Sequence, residues 1–292
     1  MQNLLINVGG IELHIREYER EGEPVIFLHY SGSNLMMWQG VVPYFQKDYR
    51  LILVDLRGHG RSDKPPTGYH IDDMAGDVVG LIEHLKLDQA HIVGSSLGAE
   101  VGLCLAANHP ERVMSLVCAG ALYSEYGPYG IWEGSEAEFK EDVARQLAEV
   151  RNSPDPVFAT AEALVAASRQ RFEKHGWWNQ YFEAMQEYDV YELGEGRYAR
   201  SWQKWAKEKY LEHYFDYRFE EYYRRVKCPV LMLPSEEEMR DERIVRAMNG
   251  LSELVHRVKI VLVHGAVHPY GWLLDPEGMS KAVLEFLAEI RN

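Results

Sequence analysis

The strongest constraint in this chain is the pentapeptide Gly94-Ser95-Ser96-Leu97-Gly98, because of what stands on either side of it. Ala90-His91-Ile92-Val93 reads as a buried strand, and from Leu97 to Asn108 the small residues Gly98, Gly102 and Ala106 recur at helical spacing. A strand that turns straight into a helix exposes the side chain at the strained corner. The residues two places either side must be small so that strand and helix can approach each other. That requirement chooses between the two serines. Ser96 is flanked at those places by Gly94 and Gly98, whereas Ser95 would be flanked by Val93 and Leu97. Ser96 is therefore the candidate nucleophile. Taken alone, the pentapeptide would read better as a helix-capping serine in a glycine-rich turn.

Three further segments change that balance. Pro24-Val25-Ile26-Phe27-Leu28-His29 is an apolar strand running into Tyr30-Ser31-Gly32-Ser33. Leu51-Ile52-Leu53-Val54 enters Asp55-Leu56-Arg57-Gly58-His59-Gly60-Arg61-Ser62, and Ile260-Val261-Leu262-Val263 leads to Gly265-Ala266-Val267-His268. In order and spacing these resemble the α/β-hydrolase family over nearly the whole chain, apart from a middle segment. The resemblance implies an α/β fold with a mostly parallel central sheet, helices on both faces and an inserted helical cap. It also implies roles: Ser96 as nucleophile, His268 as base, and the backbone N–H groups of Ser31 and Leu97 as oxyanion donors. His29, His59 and His264 are weaker candidates for the base. Tyr30 stands where the family pattern has glycine, which leaves the loop's shape open and puts its side chain within reach of substrate.

The acid is where the chain strays furthest from the family. After Cys228-Pro229-Val230-Leu231-Met232-Leu233-Pro234 the pattern is Gly-x-x-Asp, whereas here Ser235-Glu236-Glu237-Glu238 follows. Aligning Ser235 with the glycine places Glu238 in the acid's position, and Ser-His-Glu sets occur on this fold. The other known position, after the strand ending near Ala119, offers no acid before Glu125, and Asp241 lies too far along. An exposed acidic turn accounts for at least one of the three glutamates.

Along the chain, short apolar strands alternate with helical segments from Leu4 to Gly120 and again from Val230 onward, as in a parallel sheet covered on both faces. Ile71 to Leu85 carries an apolar stripe, and Asp275-Pro276 opens a last helix. Between them the composition shifts: 23 of the 34 aromatic residues lie in 121–226. Trp202, Trp205, Leu211, Tyr214, Phe215, Phe219 and Tyr222 fall near i, i+3, i+4 spacing. The division is therefore a core of 1–121 and 227–292 and a helical cap of 122–226. Most of its aromatics are expected to pack cap helices together, with a minority facing a ligand.

The net charge of −14 argues against nucleic-acid or anionic-membrane partners, and no run of about 18 apolar residues suggests a membrane span. Met1-Gln2-Asn3-Leu4-Leu5 has no basic, then apolar, leader pattern. Cys104, Cys118 and Cys228 lie in apolar segments at no metal-binding spacing, which fits the cytoplasm better than a disulfide framework. No metal or cofactor is expected. The leading expectation is a cytoplasmic hydrolase of carboxylic esters acting on a small, apolar or aromatic substrate through a Ser96 acyl-enzyme. Serine at the elbow argues against the dehalogenase and epoxide-hydrolase branches, which use aspartate. Enol-lactonases, C–C bond hydrolases and perhydrolases share the same triad, and a low-turnover small-molecule receptor is the rival from another class.

Overall fold

Strands buried on both faces need apolar residues in unbroken runs, and the centre of this sheet has them. The strands are β1 (Gln2–Asn7), β2 (Glu12–Tyr18), β3 (Glu23–Leu28), β4 (Tyr49–Val54), β5 (Ala90–Ser95), β6 (Val113–Ala119), β7 (Val190–Gly194), β8 (Arg197–Arg200), β9 (Val230–Leu233) and β10 (Val258–Ile260). Eight form one sheet in the order β1-β2-β4-β3-β5-β6-β9-β10, parallel from β4 to β10, with β1 and β2 antiparallel at one edge. Alternate side chains feed two apolar cores: Ile26, Leu28, Ile92 and Leu116 on one face, Val25, Phe27, Val93 and Val117 on the other. This computed structural model describes residues 1–120 and 122–291. The expected core boundary at Ala121 lies outside the described residues. The last strand ends at Ile260, earlier than the apolar run to Val263 suggests, and Val261 to Val263 continue as irregular chain toward His268.

At the end of β5 the chain turns through Ser96, whose φ of 50° and ψ of −119° lie in a region costly for any residue with a Cβ. The helix Leu97–Asn108 starts immediately. Two glycines permit it. A Cβ at Gly94 would sit 2.5 Å from Ala99 Cα, and one at Gly98 would sit 2.5 Å from the Leu28 carbonyl carbon. The helix N-terminus therefore rests directly on the last peptide of β3.

The loop after β4 is organised by Asp55, which is fully buried. Its carboxylate accepts the backbone N–H groups of Leu35 at 2.7 Å and Arg61 at 3.0 Å, and the Tyr188 hydroxyl at 2.7 Å. Burial alone would raise its pKa, but the His14 ring, His29 and these amides together hold it below the usual carboxylate value. Two histidines brace the neighbouring loops. His29 donates through Nδ1 to its neighbour's carbonyl, Tyr30 O, and accepts Leu56 N–H on Nε2 at 3.0 Å; His59 donates to Arg57 O and accepts Gly32 N–H at 3.0 Å. A ring that both donates and accepts is neutral, and burial lowers both pKa values accordingly.

Between β6 and β9 the chain forms helices Glu136–Asn152, Ala161–Glu173, Gln180–Tyr188, Lys204–Tyr214 and Phe219–Tyr223. The segment is not purely helical, as its composition suggests, because β7 and β8 form a hairpin around the left-handed Glu195 and Gly196. It is fastened to the loop after β4: Tyr188 reaches Asp55, Ser201 Oγ accepts Gly60 N–H at 2.9 Å, and Trp202 stacks on His59 with ring centroids 3.8 Å apart. Its aromatics also enter both cores, Tyr217, Phe219 and Tyr223 on one face and Phe172 and Phe182 on the other.

The elbow contact generates a paired expectation. Gly98→Ala forces the helix away from Leu28 and should destabilise the fold by about 1–3 kcal/mol. Gly76, on the exposed face of the helix Ile71–His84, has open space where a Cβ would go. Gly76→Ala should therefore stabilise by about 0.5–1 kcal/mol. Urea denaturation of the two variants checks both signs, and a neutral Gly98→Ala would show that the close approach is dispensable.

Candidate active site

Ser96, His268 and Glu238, three sequence-predicted site residues from distant parts of the chain, line one cavity of about 330 Å³. Ser96 arrives there through the elbow. Ser95 is buried with its hydroxyl unpartnered and faces away, toward a void of about 20 Å³. The end of β6 links serine to histidine: Ala119 O accepts Ser96 N–H at 3.0 Å, and Gly120 donates to Leu233 O at 2.9 Å. His268 packs over Gly120 so closely that a Cβ there would lie 2.6 Å from Nδ1. Gly120, at φ 107°, is therefore a site residue the sequence reading did not single out.

Glu238 begins a short 3-10 turn after β9. Its Oε2 accepts Ser235 N–H at 2.7 Å, and Ser235 Oγ accepts the Glu238 N–H at 3.2 Å. This reciprocal cap leaves Oε1 directed at His268, 3.8 Å from Nδ1. That distance is an electrostatic contact rather than a hydrogen bond. Burial lowers the pKa of His268, while Glu238 and then Glu237 oppose that shift. The other glutamates are placed differently. Glu236 accepts Gly265 N–H at 3.1 Å and pairs with Arg240, and Glu237 is exposed at the cavity rim. His264 is almost wholly exposed beside Glu236, so it stands apart from Ser96.

The expected oxyanion donors sit on the elements that meet at Gly98. Leu97 is the first residue of its helix, where the amide has no intrahelical acceptor. Ser31 lies in a turn closed by Ser33 N–H donating to Tyr30 O at 3.0 Å. Tyr30 is not strained by standing at the glycine position of the family pattern, because the left-handed residue in this turn is Gly32, at φ 80°. Its ring is buried, edge-on to Tyr270 at 5.7 Å, and borders the pocket.

That pocket is a second cavity of about 510 Å³, which meets the first at Ser96, Glu100 and Tyr214. Aromatic rings from Tyr30, Phe172, Trp202 and Tyr270 line it as the composition suggests, but so do Arg171, Arg200 and Lys207. The sequence reading did not anticipate the cations, which only the folding of three separate segments brings together. Glu100 did leave a signal, as a carboxylate one turn after Ser96 in an otherwise apolar helix. Among the described residues, no group of three or more His, Cys, Asp or Glu side chains is disposed to hold a metal ion. No described helix is long and apolar enough to cross a membrane.

Comparison with known proteins bears on the fold. The family model for the alpha/beta hydrolase fold matches residues 23–239. The 3-oxoadipate enol-lactonase 2 of Acinetobacter baylyi is 35% identical over 125 residues, covering 43% of this chain and 46% of that enzyme. The 2-(acetamidomethylene)succinate hydrolase of Mesorhizobium japonicum is 36% identical over 145 residues, 49% of this chain and 50% of the enzyme. The chain thus matches about half the length of these relatives. In three dimensions, a crystal structure of E-2-(acetamidomethylene)succinate hydrolase superposes with a TM-score of 0.78 at 26% identity, covering 98% of this chain and 99% of that one. With its elbow, sheet order and family match in agreement, the chain belongs to the α/β-hydrolase fold family.

Proposed function

We propose that this chain is a serine hydrolase that cleaves carboxylic esters through a Ser96 acyl-enzyme, with His268 as base and Glu238 as the acid that orients it. The observation that carries this reading is the strained Ser96, which shares a cavity with His268 and with Glu238, whose Oε1 lies 3.8 Å from the His268 Nδ1. In the proposed sequence, His268 Nε2 takes the Ser96 proton as Oγ attacks the ester carbonyl. The developing oxyanion is held by the Leu97 and Ser31 amides. His268 then returns the proton to the leaving alkoxide, and a water activated in the same way releases the acid. Glu238 stabilises the imidazolium that forms twice in each cycle. For Ser96 this requires no metal or cofactor.

The segment 122–226 acts in this reading as a cap. Its Phe172, Trp202 and Tyr214 close the pocket over Ser96 and exclude water from the intermediates. With Tyr30 and Tyr270 they favour a small molecule with an apolar or aromatic portion, while Arg171, Arg200 and Lys207 favour a negatively charged end. A lactone is the second reading, supported by the enol-lactonase among the relatives. It is a cyclic ester, and the same steps open it. The buried free thiols of Cys104, Cys118 and Cys228 are consistent with a reducing, cytoplasmic setting.

Ser96→Ala should abolish hydrolysis of 4-nitrophenyl butyrate and labelling by an organophosphonate with the fold intact, a loss of about six orders of magnitude. Labelling that survives and maps to Ser95 would sink the assignment.

Glu238→Gln keeps the size and removes the charge, so turnover should fall by about three to four orders of magnitude. The acid limb supplies an independent readout. His268 must be neutral to act, and its pKa lies below the ordinary 6.5, so kcat/KM should fall only as pH drops below that value. Because Glu238 raises that pKa, Glu238→Gln should move the limb to still lower pH. A limb that stays put, or Glu237→Gln as the crippled variant, would place the acid elsewhere.

A further inference from the structure

Glu100 stands four residues after Ser96, on the same face of the helix, and borders both cavities. It is only 5% exposed. Oε2 accepts the Tyr210 hydroxyl at 2.7 Å, and Oε1 takes part in no hydrogen bond among the described residues. No lysine or arginine among them forms an ion pair with it. A carboxyl so buried favours its neutral form: burial, opposed by the Tyr210 hydrogen bond and reinforced by Glu125, pushes it up to about 7. The titratable and charged groups around it are Tyr210, Tyr214 and Tyr217, and Glu125, which accepts the Tyr214 hydroxyl at 2.7 Å. Across the larger chamber stand Arg171, Arg200 and Lys207; across the smaller stand Glu237, Glu238, Asp241 and His268.

We propose that Glu100 is a specificity-determining residue that, as a neutral acid, donates a hydrogen bond to a carboxylate carried on the acyl group of the substrate. The larger chamber is built for such a group. Arg200 is already engaged, donating to Gln186 at 2.7 Å and Ser168 at 2.6 Å. Arg171 and Lys207 make no ion pair among the described residues, yet both line the chamber. Two unpaired cations and an acid proton form a donor-rich surface, and a carboxylate accepts on both oxygens. Once ionised, Glu100 loses its proton and repels the same group. The proposal rests on the ester-hydrolase reading for the identity of the acyl group, but its test does not need turnover.

The test uses Ser96→Ala protein, in which ligand cannot be consumed, and follows monoethyl succinate and ethyl butyrate by calorimetric or NMR titration. Between about pH 6 and about pH 8.5, binding of monoethyl succinate should weaken by about ten-fold while ethyl butyrate is unchanged. Adding Glu100→Gln, which keeps the size and can still accept from Tyr210, should remove that pH dependence. Adding Glu100→Leu should weaken monoethyl succinate by about ten-fold at the lower pH and leave ethyl butyrate alone. His268 is present in all three proteins and its pKa lies below the ordinary 6.5, so the comparison with Glu100→Gln isolates Glu100. The proposal is overturned if that ratio stays within about two-fold across pH and variants, if the pH dependence persists with glutamine, or if monoethyl succinate does not bind. Should Glu100→Leu fail to fold, the glutamine variant and its pH dependence still decide. Hydrolysis of 4-nitrophenyl butyrate by the unaltered protein tests the ester-hydrolase reading separately.

Discussion

One contact sets the geometry of the candidate site: the helix that follows Ser96 is pressed against the last peptide of β3. Gly98 has no room for a Cβ beside Leu28 and His29, and Gly94 has none beside Ala99. The same contact has two consequences. It drives Ser96 into a backbone conformation that only a tightly determined surrounding can hold, which presents the hydroxyl to the cavity. It also brings the loop that leaves β3, with Ser31, alongside the helix N-terminus, where the Leu97 amide has no intrahelical acceptor. The proposed nucleophile and oxyanion donors are thus placed by one close approach between a strand and a helix.

A contact that tight needs the β3 loop to stay where it is, and the buried polar groups behind it serve that end. Asp55 takes the Leu35 amide from the far end of the loop, His29 takes Leu56, and His59 takes Gly32. Each histidine acts as donor on one nitrogen and acceptor on the other, so each works only when neutral. Because burial depresses their pKa values, the unfolded chain binds protons more readily than the folded one below its ordinary pKa of 6.5. The stability they lend is complete above that pH and declines as pH falls toward the folded values. The loop's rigidity and the neutrality of the proposed base, His268, therefore fail in the same direction, toward acid.

Much of this was legible in the sequence, and the reason is local. The elbow needs two glycines at fixed spacing, and the loop after β4 needs an aspartate and small residues in a fixed order, so both write themselves into short motifs. The place of Glu238 near His268, though not its role, was legible in the same way, because it is set by a strand end and a serine three residues before it. What stayed hidden depends on residues that meet only after folding. Gly120 matters because of the ring of His268, about 150 residues away. The hairpin of β7 and β8 sits in a segment whose aromatic spacing points to helices. The cations Arg171, Arg200 and Lys207 come from three separate stretches, and no spacing relates them to Ser96.

Glu238 stands where the chain departs from the family pattern, and the proposed role for it rests on how the turn holds its side chain. The pattern's glycine is replaced by Ser235 and its aspartate by a longer side chain. The two changes compensate each other. Ser235 offers a hydroxyl and an amide that bind the Glu238 backbone and one carboxylate oxygen, folding the extra methylene back over the turn. The other oxygen is thereby held toward His268 instead of swinging into solvent with the neighbouring Glu237. A glutamate without the serine would carry one more rotatable bond to immobilise beside His268, and a serine without the glutamate would leave that ring without the carboxylate 3.8 Å from Nδ1. Together they hold a carboxylate oxygen toward His268 on a turn that needs no glycine.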